Sequence, residues 1–295
     1  MRTRHIGDVE VSAIGLGGMN LSIEGRPDEA RAIATIHAAI DAGVTLVDTA
    51  DSYHLSGHDE VGHNERLIAK ALASHSGGSQ VLVSTKGGLV RPDLNPGPYL
   101  WPANGRPEHI KAACEGSLKR LGVEAIGLYF LHRTDKDVPY ADSVGAIRDL
   151  LDAGKIRMAG VSNADPAQIE LADDVLGGRL VAVQNQFAPD FRSSEPELER
   201  CHKMGLAFLP WGPLGGVSRS ADGTPVHDRF ARVAEAHAVS PQQVALAWML
   251  AKSPTVIPIP GSTRPETVRD SAAAVDLVLD EAELRELDGQ NRGRG

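Results

Sequence analysis

The sequence predicts an α/β fold, a (β/α)8 TIM barrel with an N-terminal β-hairpin and a C-terminal extra helix. Three observations carry this reading. Strand-like and helix-like patterns alternate in eight units along a 295-residue chain. The strand runs, such as Val81 to Lys86 and Ile126 to His132, are apolar enough to be buried on both faces. No low-complexity or Pro/Ser-rich linker divides the chain, as two doubly wound domains would require. Residues 1–295 are therefore expected to form a single barrel domain, with its active site at the C-terminal ends of the strands.

The elements can be justified in order. Residues 3–12 read as a hairpin turning at Gly7-Asp8, with Val9 and Val11 alternating after the turn. In Ala13 to Gly18 the glycines predict a close approach by another backbone or a ligand; Asn20 spoils a dinucleotide Gly-x-Gly-x-x-Gly fingerprint. Pro27 to Ala42 reads as a helix with Pro27 in its first turn and Ile33, Ile36 and Ile40 on one face. Strand 45–50 follows, then helix 64–74, strand 81–86, helix 107–121 and strand 126–132. Helix 107–121 has the cleanest stripe: Ile110, Ala113, Cys114, Ser117, Leu118 and Leu121. The alternation continues through helix 142–153, strand 158–163, helix 166–176, strand 181–187, helix 195–204 and strand 206–211. Strand 255–259 and helix 265–274 complete the barrel, and 280–287 reads as the extra helix. Gly43, Gly122, Gly154 and Gly205 sit where left-handed C-caps belong. Asp165-Pro166-Ala167-Gln168 and Ser240-Pro241-Gln242-Gln243 both read as capping boxes.

Composition narrows the function. A formal charge of -9 argues against nucleic acid or an anionic membrane as partner, and no apolar run reaches the length of a membrane span. Cys114 and Cys201 make neither a CxxC nor a zinc spacing, which predicts reduced core residues and a cytoplasmic setting. His54, His58 and His63 lie in a glycine-broken loop without the carboxylate or cysteine geometry of a metal site, so no metal is expected.

The strand ends carry the chemistry. Asp48 and Tyr53 end the second strand, Lys86 the third, His132 the fourth, Ser162-Asn163 the fifth, Gln184 the sixth and Trp211-Gly212 the seventh. Any one could be a solvated loop residue; converging at one barrel mouth, they suit proton transfer to an oxygen. A tyrosine hydroxyl has a pKa of about 10, and an adjacent ammonium brings it down, a role open to Lys86. Asp48 would hold Lys86 charged, and His132 could orient a carbonyl oxygen. A carbonyl that takes a proton must also receive a hydride, which no side chain supplies, so a nicotinamide cofactor is expected.

With these residues in view, the sequence resembles the aldo-keto reductase family. The resemblance rests on Val47-Asp48-Thr49-Ala50-Asp51-Ser52-Tyr53, Gly62-His63-Asn64-Glu65, the lysine strand ending at Lys86 and the histidine strand ending at His132. It continues through Gly154-Lys155-Ile156-Arg157, Gly160-Val161-Ser162-Asn163, Gln184-Asn185-Gln186, Trp211-Gly212-Pro213-Leu214 and Ile259-Pro260-Gly261-Ser262. It implies reduction of an aldehyde or ketone with NADPH, NADH being possible. Tyr53 would be the proton donor, Lys86 and Asp48 its tuning pair, and His132 the carbonyl-orienting residue.

The same resemblance implies that Ser162, Asn163 and Gln184 bind the carboxamide and that the nicotinamide ring stacks on Phe187, where the family usually has tyrosine. Trp211, Gly212, Pro213, Leu214, Gly215 and Gly216 would follow the pyrophosphate, with Gly18 and Met19 nearby. Ser262, Thr263, Arg264, Thr267 and Asp270 would hold the 2′-phosphate and adenine. Thr267 stands where many members have arginine, and Asp270-Ser271 replaces a usual Glu-Asn. The loop 87–106, carrying Tyr99, Leu100 and Trp101, is expected to cover a substrate pocket shared with Met19, Tyr53, His54 and His132. The short loop between Leu214 and Val226 and the motif Pro260-Gly261-Ser262-Thr263-Arg264 resemble bacterial members, pyridoxal-type reductases among them. A small-molecule substrate and a monomer or weak homo-oligomer are expected; the alternative is a nicotinamide-binding regulatory subunit of the same fold with little turnover.

Overall fold

The computed structural model describes residues 1–56, 61–92, 101–215 and 225–289. Strands β1 (Thr3–Ile6) and β2 (Val9–Ser12) form an antiparallel hairpin through Gly7 and Asp8. Seven parallel strands follow in the order β3 (Leu16–Gly17), β4 (Leu46–Asp48), β5 (Leu82–Gly87), β6 (Ile126–Leu131), β7 (Ile156–Ser162), β8 (Leu180–Gln184) and β9 (Ala207–Phe208). Between them run helices α1 (Glu29–Asp41), α2 (His63–Ala73), α3 (Pro107–Leu121), α4 (Tyr140–Asp152), α5 (Pro166–Leu176) and α6 (Glu195–Met204). Helices α7 (Pro225–His237), α8 (Pro241–Lys252), α9 (Pro265–Ala273) and α10 (Glu281–Leu287) complete the chain.

Residues 255–261 close the sheet into a barrel. The amides of Ile257 and Ile259 donate to Phe208 O (2.8 Å) and Pro210 O (3.1 Å), while Pro258 O and Pro260 O accept from Gly15 (2.9 Å) and Gly17 (3.0 Å). Both prolines face the β3 side, where they can accept but not donate. The eighth strand is therefore a half-ladder rather than the regular strand its apolar pattern predicts. Gly17 is needed at this seam, since a Cβ there would lie 2.8 Å from Ile259 O. A comparable approach occurs inside the barrel, where a Cβ on Gly160 would lie 2.3 Å from the Phe130 ring.

Two packed layers hold the strands in place. The barrel interior is filled by Leu46, Leu128, Phe130, Met158, Ala182 and Ile257, with Ile6 and Val11 of the hairpin plugging one end. That end is the N-terminal one: Ser12 and Thr45 exchange backbone-to-hydroxyl hydrogen bonds just ahead of β4. The outer layer joins strands to helices, and the predicted α3 stripe is its clearest case, with Ile110, Cys114, Ser117 and Leu118 buried. Cys114 and Cys201 are both buried, and burial pushes each thiol up to about 12, as suits core residues.

Local signals behave as expected with instructive exceptions. Gly43, Gly122, Gly154 and Gly205 all adopt left-handed φ. Asp165 and Gln168 form a reciprocal capping box, but at Ser240 only half the box forms, because the Gln243 amide turns to Asp270 instead. Pro27 precedes rather than joins α1, whose N-cap is Asp28. Helix α7 was not anticipated, although Thr224-Pro225 repeats the hydroxyl-proline pattern read at Ser240-Pro241. Among the described residues no helix is long and apolar enough to cross a membrane.

Candidate active site

Parallel register brings the polar strand ends to one level. Asp48 pairs with Ser84, Lys86 with Phe130, and Ser162 with Gln184 across neighbouring strands. Because side chains alternate along each strand, Lys86, two residues beyond Ser84, points to the same inner face. They open into a cavity of about 260 Å³ whose lining includes Asp48, Tyr53, His132, Ser162, Gln184 and Trp211.

At its base lies a buried ion pair. Lys86 Nζ donates to Asp48 Oδ2 at 2.5 Å, to Thr49 O at 2.7 Å and to the Tyr53 hydroxyl at 3.3 Å. Asp48 Oδ1 also accepts from Ser84 Oγ (2.7 Å) and Gln184 Nε2 (2.9 Å). Burial alone would push the Lys86 ammonium down, but Asp48 and then Tyr53 outweigh it and hold the lysine above its ordinary value. Tyr53 departs from expectation: it too lies above the ordinary phenol value, because burial raises it by more than the Lys86 charge lowers it. The ammonium thus restrains a rise rather than producing a fall, and the hydroxyl keeps its proton at neutral pH.

His132 meets Tyr53 edge-on, with ring centroids 5.8 Å apart. Burial, then the charges of Lys86 and Arg133, hold its imidazole well below the ordinary histidine value, so it is neutral. Its Nδ1 is buried without a hydrogen-bond partner among the described residues. Beside it, Asn163 adopts φ +56, donates through Nδ2 to His132 O (3.1 Å) and Ser162 Oγ (3.0 Å), and accepts at Oδ1 from Trp211 Nε1 (3.2 Å). Ser162 Oγ donates to Gln184 O at 2.7 Å. One wall of the cavity is therefore a connected set of amides and a hydroxyl beside an indole plane.

Several expected residues lie elsewhere. Phe187 is fully buried and stacks on Trp248 at 5.6 Å, with ring planes 5° apart, facing the helical layer. It does not line the cavity, whose aromatic lining is Tyr53, Trp101, His132 and Trp211. Asp270 accepts from Ser240 Oγ and Gln243 Nε2, both at 2.6 Å, and so binds α9 to the start of α8. His54 is buried, with Nδ1 2.9 Å from Leu55 O, and does not line the cavity. Met19, Trp101 and Gly212 do. Gly18 supports the floor: its amide donates to Asp48 O at 2.8 Å. Pro213, Leu214 and Gly215 continue from Gly212, with Leu214 turned toward the core; Gly216, Tyr99, Leu100 and His58 lie outside the described residues. Ser262, Thr263, Arg264 and Thr267 gather around the start of α9, where Ser262 Oγ contacts Thr267 Oγ1 and accepts from the Arg264 amide (3.1 Å). Arg133 and Leu89 also line the cavity and were not anticipated, although Arg133 follows His132 directly.

Behind the site, the Asn64-Glu65 pair fixes the loop that carries Tyr53. Asn64 accepts from Thr49 Oγ1 (2.6 Å) and donates to Gly18 O (2.8 Å), while Glu65 accepts from Thr85 Oγ1 (2.6 Å) and Arg120 Nε (2.5 Å). Asp51 is buried next to this group with one carboxylate oxygen unpartnered among the described residues; burial, then the Glu65 charge, pushes it up to about 8. In an unfolded chain the same carboxyl titrates near about 4. The native state therefore keeps a proton that the unfolded chain releases, and stability present below pH ~4 is lost as pH rises toward ~8. Asp51→Asn is expected to raise Tm by a few degrees at pH 8 and by much less at pH 5, read from melting curves. A gain that does not grow with pH would remove Asp51 as the source.

A (β/α)8 barrel with a buried Asp–Lys–Tyr cluster and a neutral histidine at its mouth defines a nicotinamide-dependent oxidoreductase. The comparisons agree on which: residues 13–292 match the model of the aldo/keto reductase family, and the chain belongs to that family. An uncharacterised oxidoreductase of Schizosaccharomyces pombe is 33% identical across 98% of this chain and 90% of its own length. A probable aldo-keto reductase of Glycine max is 31% identical across 94% of this chain and 85% of its own. Among solved structures, a thermostable aldo-keto reductase in complex with the inhibitor epalrestat superposes with a TM-score of 0.83 at 28% identity, covering 99% of this chain and all (100%) of that one. The Klebsiella pneumoniae aldo/keto reductase in complex with NADP and acetate gives 0.79 at 28% identity, with 99% and 96% covered.

Proposed function

We propose that this chain reduces an aldehyde or ketone to the alcohol with NADPH, Tyr53 giving the proton. The observation that carries the reading is the 3.3 Å contact between Lys86 Nζ and the Tyr53 hydroxyl, inside a cavity that His132 also lines. When bound, a reduced nicotinamide supplies the hydride to the carbonyl carbon. The residues present fit that group: Ser162, Asn163 and Gln184 offer donors and acceptors for a carboxamide, and Trp211 offers an aromatic face in place of Phe187. Gly212, with φ +61, keeps the next stretch of backbone bare for a pyrophosphate.

Each side chain then has one task. The neutral His132 donates from Nε2 to the carbonyl oxygen and so fixes it beside the Tyr53 hydroxyl. As negative charge builds on that oxygen, Tyr53 transfers its proton to it, and Lys86 stabilises the phenolate left behind. Asp48 keeps Lys86 charged and in place. Purified protein followed by loss of NADPH absorbance against aldehydes, ketones and pyridoxal tests the reading; NADPH binding with no turnover on that panel would reject it.

NADPH rather than NADH is supported by the start of α9. Arg264 is half exposed, its side chain in loose 3.6 Å contact with Glu266, and its backbone amide meets the Ser262 hydroxyl as the N-cap of α9. Arg264→Ala is expected to lower the NADPH/NADH ratio of kcat/KM about tenfold, the worth of one charge-assisted contact. An unchanged ratio removes Arg264 from the phosphate site.

A further inference from the structure

Arg91 is buried, charged and unused by the chemistry above. Its side chain is 0% exposed, Nη2 bonds both carboxylate oxygens of Glu24, and Nε and Nη1 reach no acceptor among the described residues. Burying a guanidinium with donors to spare is costly, and an apolar residue of similar volume would serve packing better. Its place must therefore matter for what it touches. That neighbour is Trp101, whose ring centroid lies 4.3 Å from Arg91 Cζ.

The chain around it shows how the contact is built. A short antiparallel stem, with Leu89 bridged to Ala103, Val90 N–H donating to Pro102 O (2.8 Å) and Asn104 N–H donating to Gly88 O (2.9 Å), brings Arg91 and Trp101 opposite one another. Glu24 also accepts from Ser56 Oγ at 3.1 Å, so one carboxylate ties together the loops that follow β3, β4 and β5. Burial would raise the Glu24 carboxyl, but the hydrogen bond from Arg91 outweighs this and holds it at about 2, so the pair stays charged at any working pH. Trp101 and Leu89 pack with Tyr53, Met19 lies against them, and all four line the cavity.

We propose that Arg91 is a positioning residue: by clamping Trp101 through Glu24 it fixes an apolar wall beside Tyr53, which selects carbonyl substrates bearing an aryl or similarly broad apolar group. The proposal rests on the reading that this cavity reduces carbonyls. One guanidinium reaches both the Trp101 ring and the Glu24 carboxylate at once, which the point charge of a lysine ammonium is not expected to reproduce.

The test compares an aryl aldehyde with a short aliphatic aldehyde in wild type, Arg91→Leu and Arg91→Lys. Both variants are expected to raise KM for the aryl aldehyde about tenfold, with kcat, the aliphatic KM and NADPH affinity within about twofold. Glu24→Gln keeps an acceptor beside Arg91 but removes its counter-ion, and is expected to shift the aryl KM in the same direction by about threefold. An unchanged aryl-to-aliphatic KM ratio, full rescue by lysine, or a parallel fall in kcat for both substrates overturns the proposal. Hydrogen exchange in peptides covering 88–92 and 101–104 supplies a readout independent of turnover. It should accelerate about tenfold in Arg91→Leu while β6 is unaffected, and unchanged exchange also overturns the clamp. Wild type that turns over neither aldehyde rejects the carbonyl reading, and exchange still decides the role of Arg91.

Discussion

Tyr53→Phe is expected to lower kcat for carbonyl reduction about 10³-fold while leaving NADPH affinity within about twofold, the usual scale for losing a positioned general acid. The substitution removes one oxygen. Among the described residues that oxygen makes one hydrogen bond, to Lys86, and the ring keeps its packing against Leu89 and Trp101. The fold and the cofactor wall should therefore be untouched, and stopped-flow kinetics should assign the loss to the chemical step. The pH dependence follows from the same group. Because Tyr53 sits above the ordinary phenol value and His132 well below the ordinary imidazole value, both hold their reactive form through neutral pH. Reduction by wild type should then be flat through neutral and mildly alkaline pH and fall only as the phenol ionises, above the ordinary phenol range. A variant with near-normal turnover would take the proton from another donor and end the assignment.

The residues that were legible in the sequence are those whose place is set by strand periodicity. Asp48, Lys86, Ser162 and Gln184 lie within the last residues of apolar runs, and the alternation of a parallel strand decides which face they take. Phe187 shows where this stops. Strand β8 ends at Gln184; beyond it the backbone bridges Gln186 to Trp211, and Phe187 turns outward to meet Trp248, 61 positions further along the chain. A partner that distant leaves no local trace. Asp270 has the same cause: Ser240 and Gln243, on the preceding helix, claim both its oxygens. Tyr53 shows a different limit. A sequence puts a cation beside a phenol but says nothing about how deeply both are buried, and here burial decides the sign of the shift. Arg91 reads as an ordinary loop arginine until its contact with Trp101 is seen.

Lys86→Met separates what the buried cation does for the fold from what it does for the reaction. Lys86 is fully buried and Asp48 nearly so, with Ser84 and Gln184 as the remaining donors to the carboxylate. Removing the ammonium leaves a charge in the barrel without a counter-ion, which costs about 3–5 kcal/mol. In a chain of this size that lowers Tm by on the order of 10 °C. Activity should fall at least about 10²-fold, since the phenolate formed on proton transfer would have no cation within hydrogen-bond distance. The double variant Asp48→Asn/Lys86→Met removes both charges, so most of the lost stability should return; the rate should not. A melting scan beside a kcat measurement distinguishes the two roles. Recovery of both together would mean that Lys86 acts only by neutralising Asp48. Loss of neither in the single variant would mean that the pair is not ionised. The expected split, stability restored and turnover absent, follows from Lys86 Nζ having two partners that matter for different reasons: the Asp48 carboxylate at 2.5 Å for folding and the Tyr53 hydroxyl at 3.3 Å for proton transfer.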